Sequence, residues 1–414
     1  MITIGDRMKW ISNIEICGVN DDWLHRLDVL LTSNQSISST LDDIVDSLRN
    51  GDHLTFDQGL RLWNHSNLSE VAHLANLCKI ARYDNNVFFN SNLHVNQTNI
   101  CTLACKFCAF RRGPKAKDAY ALDADEFIHR ILPFEQVIDE LHTVGGLHPD
   151  WDVTYYEHLF RTIKKRFPHI HIKSLSAVEI KHIAEVSGIS PRALLSRLQR
   201  AGLDSLPGGG AEILDDDVRN VICNGKETSD EYISIHRDAH AIGMPTNCTM
   251  LFGTIETPSQ RISHLCRLRE LQDETHGFQC FVPYPYLPDN SRLPEAQLAS
   301  ANEVLRVIAV SRLMLDNIPH IKAYRMNIGD WLSEMALHHG ADDFDGTVGH
   351  EEIMHEAGSN AIYGYSKSEL IKFILDSKGI PVQRNSIYTK FNRFDDDDQH
   401  ESTIALPLLS EAGD

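Results

Sequence analysis

Asn96-Gln97-Thr98-Asn99-Ile100-Cys101-Thr102-Leu103-Ala104-Cys105-Lys106-Phe107-Cys108-Ala109-Phe110-Arg111-Arg112 decides the reading of this chain. Its cysteines are spaced C-x3-C-x2-C, with an aromatic just before the third. Three thiols cannot all pair with one another as disulfides. Three thiolates at this spacing can hold three corners of a [4Fe–4S] cube and leave the fourth iron open to a small molecule. A structural zinc site would want a fourth Cys or His at finger-like spacing, and none follows closely. The four-cysteine runs of electron-transfer ferredoxins are spaced differently. Cys101, Cys105 and Cys108 are therefore the expected metal ligands.

Composition narrows the classes. At 414 residues the chain is long enough for one large α/β barrel with appendages or for two to three smaller domains. A net charge of −19 speaks against general nucleic-acid binding through phosphates. No apolar run approaches the roughly 18 residues of a membrane span. The first residues, Met1 to Arg7, carry no apolar signal core. Nine scattered cysteines do not form a disulfide framework. Free thiols and an oxygen-sensitive cluster both point to a reducing cytoplasm.

The order of patterns places the cysteine loop. Residues 1–39 read as an N-terminal extension, with a helical stripe at Trp23, Leu24, Leu27, Leu30 and Leu31 and a linker-like Ser33–Ser39. Residues 40–86 read as helices, one of them opened by the capping box Thr55-x-x-Gln58. Val87–Phe89 and Leu93–Val95 then predict the first strand of a barrel, running straight into the cysteine loop. Strands at Leu141–Val144, His169–Ser174, Leu203–Leu206, Thr246–Phe252, Phe278–Val282 and His320–Tyr324 alternate with helices, the last of them Glu295–Leu315. An eighth strand is expected near Phe344. This rhythm predicts a parallel (β/α)8 barrel over 87–390, followed by an acidic tail, 391–414, with Asp395–Asp398.

Functional groups of such a barrel gather where strands end. Gly145-Gly146 is an ordinary turn or a place where backbone N–H groups meet a ligand, and its position behind the cysteine loop favours the ligand. Ser174 ends the third predicted strand. Glu179 opens the next helix, either favouring the helix dipole or facing a ribose or substrate hydroxyl. Gly208-Gly209-Gly210 implies either flexibility or a ligand pressed on the backbone, and the second reading leaves Glu212 as an inward polar contact. Arg111 and Arg112 follow the cluster loop, as a surface pair or as a clamp on a substrate carboxylate. Glu351 and His355 are spaced i, i+4. His236 and His240 share that spacing and read as helix-packing residues among 22 histidines. Cys248 and Cys280 read as small core residues.

Taken together, these motifs resemble the radical S-adenosylmethionine (SAM) enzymes. Within them the chain resembles the menaquinone (futalosine) pathway group, most closely the aminofutalosine synthase type. The resemblance rests on Asn99-Ile100-Cys101 through Cys108-Ala109-Phe110, Gly145-Gly146-Leu147-His148-Pro149, Ser176-Ala177-Val178-Glu179 and Gly208-Gly209-Gly210-Ala211-Glu212. The late Asp343-x-Asp345-Gly346-Thr347-Val348, with Glu351, Glu352, His355 and Ala357-Gly358, also matches. It covers about residues 41–390; the N-terminal extension, Ala116–Phe134 and the tyrosines Tyr284 and Tyr286 depart from it. It implies a radical SAM (β/α)8 TIM-type barrel, a [4Fe–4S] cluster and SAM as co-substrate. Phe107, Gly145, Gly146, Ser174 and Glu179 would line the cofactor, and Arg111, Glu179, Glu212 and His355 would serve catalysis. The implied reaction adds the 5′-deoxyadenosyl group to the enol ether of 3-[(1-carboxyvinyl)oxy]benzoate, with an electron donor such as flavodoxin or ferredoxin. The related cyclase reaction, which starts by hydrogen abstraction, and a non-enzymatic iron–sulfur carrier are the alternatives.

Overall fold

The computed structural model describes residues 18–33, 37–362 and 364–394. Residues 34–36 of the expected linker and the Asp395–Asp398 run lie outside the described residues. Ten strands follow in chain order: β1 (Asn86–Phe89), β2 (Asn92–His94), β3 (Glu140–Thr143), β4 (His171–Ser174), β5 (Thr246–Phe252), β6 (Phe278–Pro285), β7 (His320–Ala323), β8 (Asp343–Phe344), β9 (Ile380–Arg384) and β10 (Phe391–Arg393).

The strands form an irregular parallel barrel. β2, β3 and β4 pair in parallel, as do β5, β6, β7 and β8, and β8 pairs with β1. The expected fourth strand, Leu203–Leu206, shrinks to two bridges, Lys173↔Ser205 and Leu206↔Thr246, which link β4 to β5. The first strand is broken: β1 continues the β8 side and β2 continues the β3 side, and Asn90-Ser91 form the joint.

Side chains and backbone from the end of β8 hold that joint. Asn92 Nδ2 donates to Asp345 O at 2.8 Å, Val348 N donates to Asn92 Oδ1 at 2.9 Å, and Asn92 N donates to Thr347 Oγ1 at 2.9 Å. Gly346 has φ +87, and a Cβ there would sit 2.4 Å from Asn90 O, so only glycine fits. The Asp345-Gly346-Thr347-Val348 motif is thus where the barrel closes.

The predicted boundaries shift at both ends. The helix Trp23–Ser33 buries Trp23, Leu27 and Leu31 in the same core as the barrel, and the Arg82 guanidinium lies 4.4 Å above the Trp23 ring. This helix of the expected N-terminal extension therefore packs on the barrel's own core. The tail does not begin at 391: β10 pairs antiparallel with β9, and β9 lies parallel to β1, a strand the sequence pattern did not indicate. The helix expected from Glu295 starts only at Ala301. Ser300 caps it, and Gln297 N and Leu298 N donate to Thr254 O and Gly253 O.

Charged groups fill the lower barrel interior in pairs. Lys173 donates to Glu140 at 2.6 Å. Arg384 clamps Asp343 through Nε and Nη2 at 2.7 and 3.0 Å, and Tyr388 Oη adds a bond at 2.9 Å. Just before β8, Asp342 binds Arg312 and His320. The desolvation of such buried pairs offsets much of their mutual attraction.

His53 pins the N-terminal helices to the barrel helices, bonding Asp273 at 2.9 Å and Asp316 at 2.7 Å. Burial alone would lower its pKa, but the two carboxylates raise it to about 9. Because the folded-state pKa is raised, the stabilisation is fully present below the ordinary histidine value and is lost as pH rises through about 9. The stability difference between the wild type and His53→Ala should therefore shrink by roughly 2 kcal/mol between pH 6 and pH 10, the linkage value reduced for solvent screening. Urea unfolding of both proteins across that range measures it.

Candidate active site

The cysteine loop lies across the end of the barrel where β2, β3 and β4 finish. Its backbone is pinned from three sides. Cys101 N donates to Arg112 O at 3.0 Å, Thr102 N to Leu147 O at 3.1 Å, and Lys106 N to Ile222 O at 2.8 Å. Arg292 Nη2 donates to Ala104 O and Cys105 O. Arg112 donates to Ala109 O at 2.8 Å and Phe110 O at 3.0 Å and pairs with Asp118 and with Glu356. Arg112 is thereby engaged in shaping the loop.

Beneath the loop opens a chamber of about 260 Å³, lined by Cys101, Cys105, Phe107, Cys108, Arg111, Gly145, Gly146, Glu179, Gly209, Gly210, Glu212, Tyr284, Tyr286 and Asn327, among others. All three expected ligand thiols are free and face it. Among the described residues no three His, Cys, Asp or Glu side chains surround one point as a single metal ion would need. A cube-shaped cluster spreads its ligands over three corners, and three free thiols on one chamber wall are the donor set it takes. Burial pushes the Cys105 thiol up to about 12 despite the nearby Lys226 ammonium, and an iron held there would take the place of that proton.

The strand ends meet at Glu179. Its fully buried carboxylate accepts from Gly145 N at 3.0 Å, Gln97 Nε2 at 2.9 Å, Ser176 N at 2.7 Å and Ser176 Oγ at 2.6 Å. Burial pushes its pKa up while the four donors pull it back. With its lone pairs taken, Glu179 positions the Gly145 turn and has no lone pair to spare for a hydroxyl of a ligand. Gly146 is forced: a Cβ there would lie 2.2 Å from Ile100 O in the cysteine loop. Gly208 faces the same limit at Asn247 O, also 2.2 Å away, so the first glycine of that triplet answers to strand packing, while Gly209 and Gly210 face the chamber.

The other expected residues divide. Arg111 lines the chamber with its Nε buried and unpartnered. Phe107 lines it too, with the Lys226 ammonium 5.5 Å from its ring centre. Glu212, at φ +43, pairs with Lys226. Burial would lower the Lys226 pKa, but Glu212 and the neighbouring thiol raise it, so the lysine stays charged. Ser174 does not reach the chamber: it is buried in β4 and its N–H bonds Ser205 O, and Ser176 takes the lining position. His355 is also misplaced. Its ring nitrogens bond Glu351 O and Ala361 O, both at 2.8 Å, while its neighbours Ile353 and Met354 line the chamber from the helix Ile353–Glu356. His236 and His240 bond Thr246 Oγ1 in the core, and Cys248 and Cys280 are fully buried, as the sequence implied.

Sequence reasoning passed over Lys226, Arg292, Asn327 and the role of Gln97. They come from separate loops and helices with no motif spacing, and only the oddity of the Tyr284 and Tyr286 pair hinted at this wall of the chamber.

Residues 95–266 match the radical SAM superfamily, and residues 275–395 match the CofH/MqnC C-terminal region. The chain is 38% identical to aminodeoxyfutalosine synthase of Thermus thermophilus, spanning 85% of this chain and 96% of that one. It is 35% identical to cyclic dehypoxanthine futalosine synthase of Streptomyces coelicolor, spanning 86% of this chain and 90% of that one. The crystal structure of methylornithine synthase shares the fold, with TM-score 0.67 at 16% identity over 82% of this chain and 97% of that one.

Replacing Gly146 by Ala should push the cysteine loop off the β3 end. After anaerobic reconstitution, Gly146→Ala should hold less than half the iron and sulfide of the wild type, read by chemical assay and by cluster absorbance.

Proposed function

Because this chain belongs to the radical SAM superfamily, in its futalosine-pathway group, we propose that it is an aminodeoxyfutalosine synthase. The enzyme joins the 5′-deoxyadenosyl group of SAM to 3-[(1-carboxyvinyl)oxy]benzoate and gives 6-amino-6-deoxyfutalosine, with loss of CO2, for menaquinone biosynthesis. One observation carries the reading: three thiols, a glycine turn and an unspent arginine open onto one apolar chamber. The overall similarity to a synthase, ahead of the cyclase, supports the reaction class.

When bound, the cluster supplies the electron that cleaves SAM. The chain's own residues do the rest. Cys101, Cys105 and Cys108 hold the cluster. The Gly145 turn, fixed by Glu179, offers backbone groups to the methionine end of SAM, and Glu212 with Lys226 sets the charge beside the thiols. Arg111 holds the carboxylate of the enol-ether arm with an N–H that has no other partner. Phe107, Tyr284, Leu251 and Met354 keep water from the reacting carbon. An electron donor such as flavodoxin or ferredoxin serves the cluster in the cytoplasm; among the described residues no helix is long and apolar enough to cross a membrane.

Two outcomes are expected. With adenosine-labelled SAM and the enol-ether benzoate, the reduced enzyme should move label into a product that also contains the benzoate ring, one SAM per product, with CO2 released. Mass spectrometry decides it, and label found only in free 5′-deoxyadenosine with dehypoxanthine futalosine consumed would assign the cyclase reaction instead. Arg111→Ala should raise KM for the enol ether about tenfold to a hundredfold, the cost of one charge-assisted bond, while iron content stays at wild-type level.

A further inference from the structure

Two histidines in the middle of the barrel lack what every other buried histidine here has. His94 on β2 and His142 on β3 are register partners, and His142 pairs in turn with Lys173 on β4. Along β3, Glu140, His142 and Val144 point to one side. Glu140 meets Lys173 in the interior and Val144 lines the chamber, so the two imidazoles lie one step below the chamber floor. Their ring centres are 4.3 Å apart. His236, His240, His264 and His320 all hydrogen-bond to protein groups. Neither ring of the His94–His142 pair has a hydrogen-bond partner among the described residues. His142 is moreover only partly buried, although it sits within a central strand.

A cation completes the group. The Glu140 carboxylate, already held by Lys173, and after it Lys322 on β7 are both close enough for their charges to weigh on both rings. The protein partner of Lys322 is Asp343 at 3.3 Å, which already accepts two bonds from Arg384 and one from Tyr388. Burial keeps the rings neutral, with His142 pushed down to about 4, so each can donate an N–H without adding charge. An ammonium beside them repels a metal cation and attracts an anion. Two N–H donors and one ammonium, below an apolar chamber with aromatic walls, suit a carboxylate carried on an aromatic ring.

We propose that His94 and His142, with Lys322, seat the aromatic carboxylate of the acceptor substrate, at the opposite end of the chamber from Arg111. The proposal rests on the function given above for the substrate's identity, and on the structure alone for its chemical class, an aryl carboxylate. Arg111 and this seat then grip the two acid groups of one molecule from both ends and aim the double bond between them at the cysteine loop.

The test uses reconstituted holoenzyme with SAM under anaerobic conditions and an unreactive probe, 3-(1-carboxyethoxy)benzoate, compared with 2-phenoxypropanoate, which lacks the ring carboxylate. By calorimetry the wild type should bind the diacid at least tenfold more tightly. In His94→Gln/His142→Gln, and separately in Lys322→Gln, that preference should fall to within about twofold while 2-phenoxypropanoate binds as in the wild type. An undiminished preference in a variant that keeps its cluster, or an equal loss of both ligands, overturns the seat. Failure of the wild type to convert the enol ether, with the preference still dependent on these residues, would remove the reaction assignment and leave the seat standing.

Discussion

The mouth of this barrel depends on one buried carboxylate. Glu179 accepts four hydrogen bonds from three strand ends: Gln97 after β2, Gly145 after β3 and Ser176 after β4. A carboxylate with no route to water must satisfy its oxygens inside the protein, and loss of any donor would leave part of it unpaired. The three strand ends are therefore locked at fixed separation. The cysteine loop, which starts at one of them and packs against another, takes its shape from that lock. The charge placed where a ligand-binding acid might be sought is in fact the support for the ligand-binding backbone.

A second constraint works from the far side of the barrel. The first strand cannot satisfy both neighbours in one straight run, so it breaks at Asn90-Ser91 and hands its two halves to different edges. Broken backbone inside a core exposes N–H and C=O groups that must be paired. The segment Asp345–Val348 supplies those partners, with Gly346 allowing the approach. A motif that looks like part of the catalytic signature is thus a closure device, and it brings the loop carrying Ile353 and Met354 over the chamber.

The interior between these two constraints is layered. Ion pairs fill the lower level, apolar and aromatic groups line the upper one, and imidazoles lie between. Charges so deep cost more to desolvate than they return unless each is paired. The pairing is complete for Glu140, Lys173, Asp343 and Arg384, and thin for the imidazoles and Lys322. Polar groups left short of partners in an otherwise paired core mark where something else binds. The chamber consequently has two poles able to take negative charge, Arg111 near the thiols and the imidazole level below, separated by aromatic surface.

The sequence alone determined the cluster ligands, the parallel barrel and the glycine turn. Cysteine spacing, strand–helix alternation and a Gly-Gly at a strand end are local patterns, and each carries its chemistry within a few residues. It also led to Glu179 and Glu212 as residues of the site, and to Arg111, although it could not tell Arg111 from Arg112. Only the tertiary structure decided between them, because the difference lies in partners far along the chain: Glu356 and the loop carbonyls occupy Arg112 and leave Arg111 to the chamber. The same holds for Ser174 and His355, whose strand and helix positions were legible but whose side-chain partners were not. The helix Trp23–Ser33 and strands β9 and β10 belong to the domain through packing with residues hundreds of positions away or on the opposite edge of a strand. His94 and His142 look like any two histidines in a chain rich in them. What sets them apart is a hydrogen bond that neither makes among the described residues, and an unmade bond is a property of the folded surroundings, which no spacing in the sequence records.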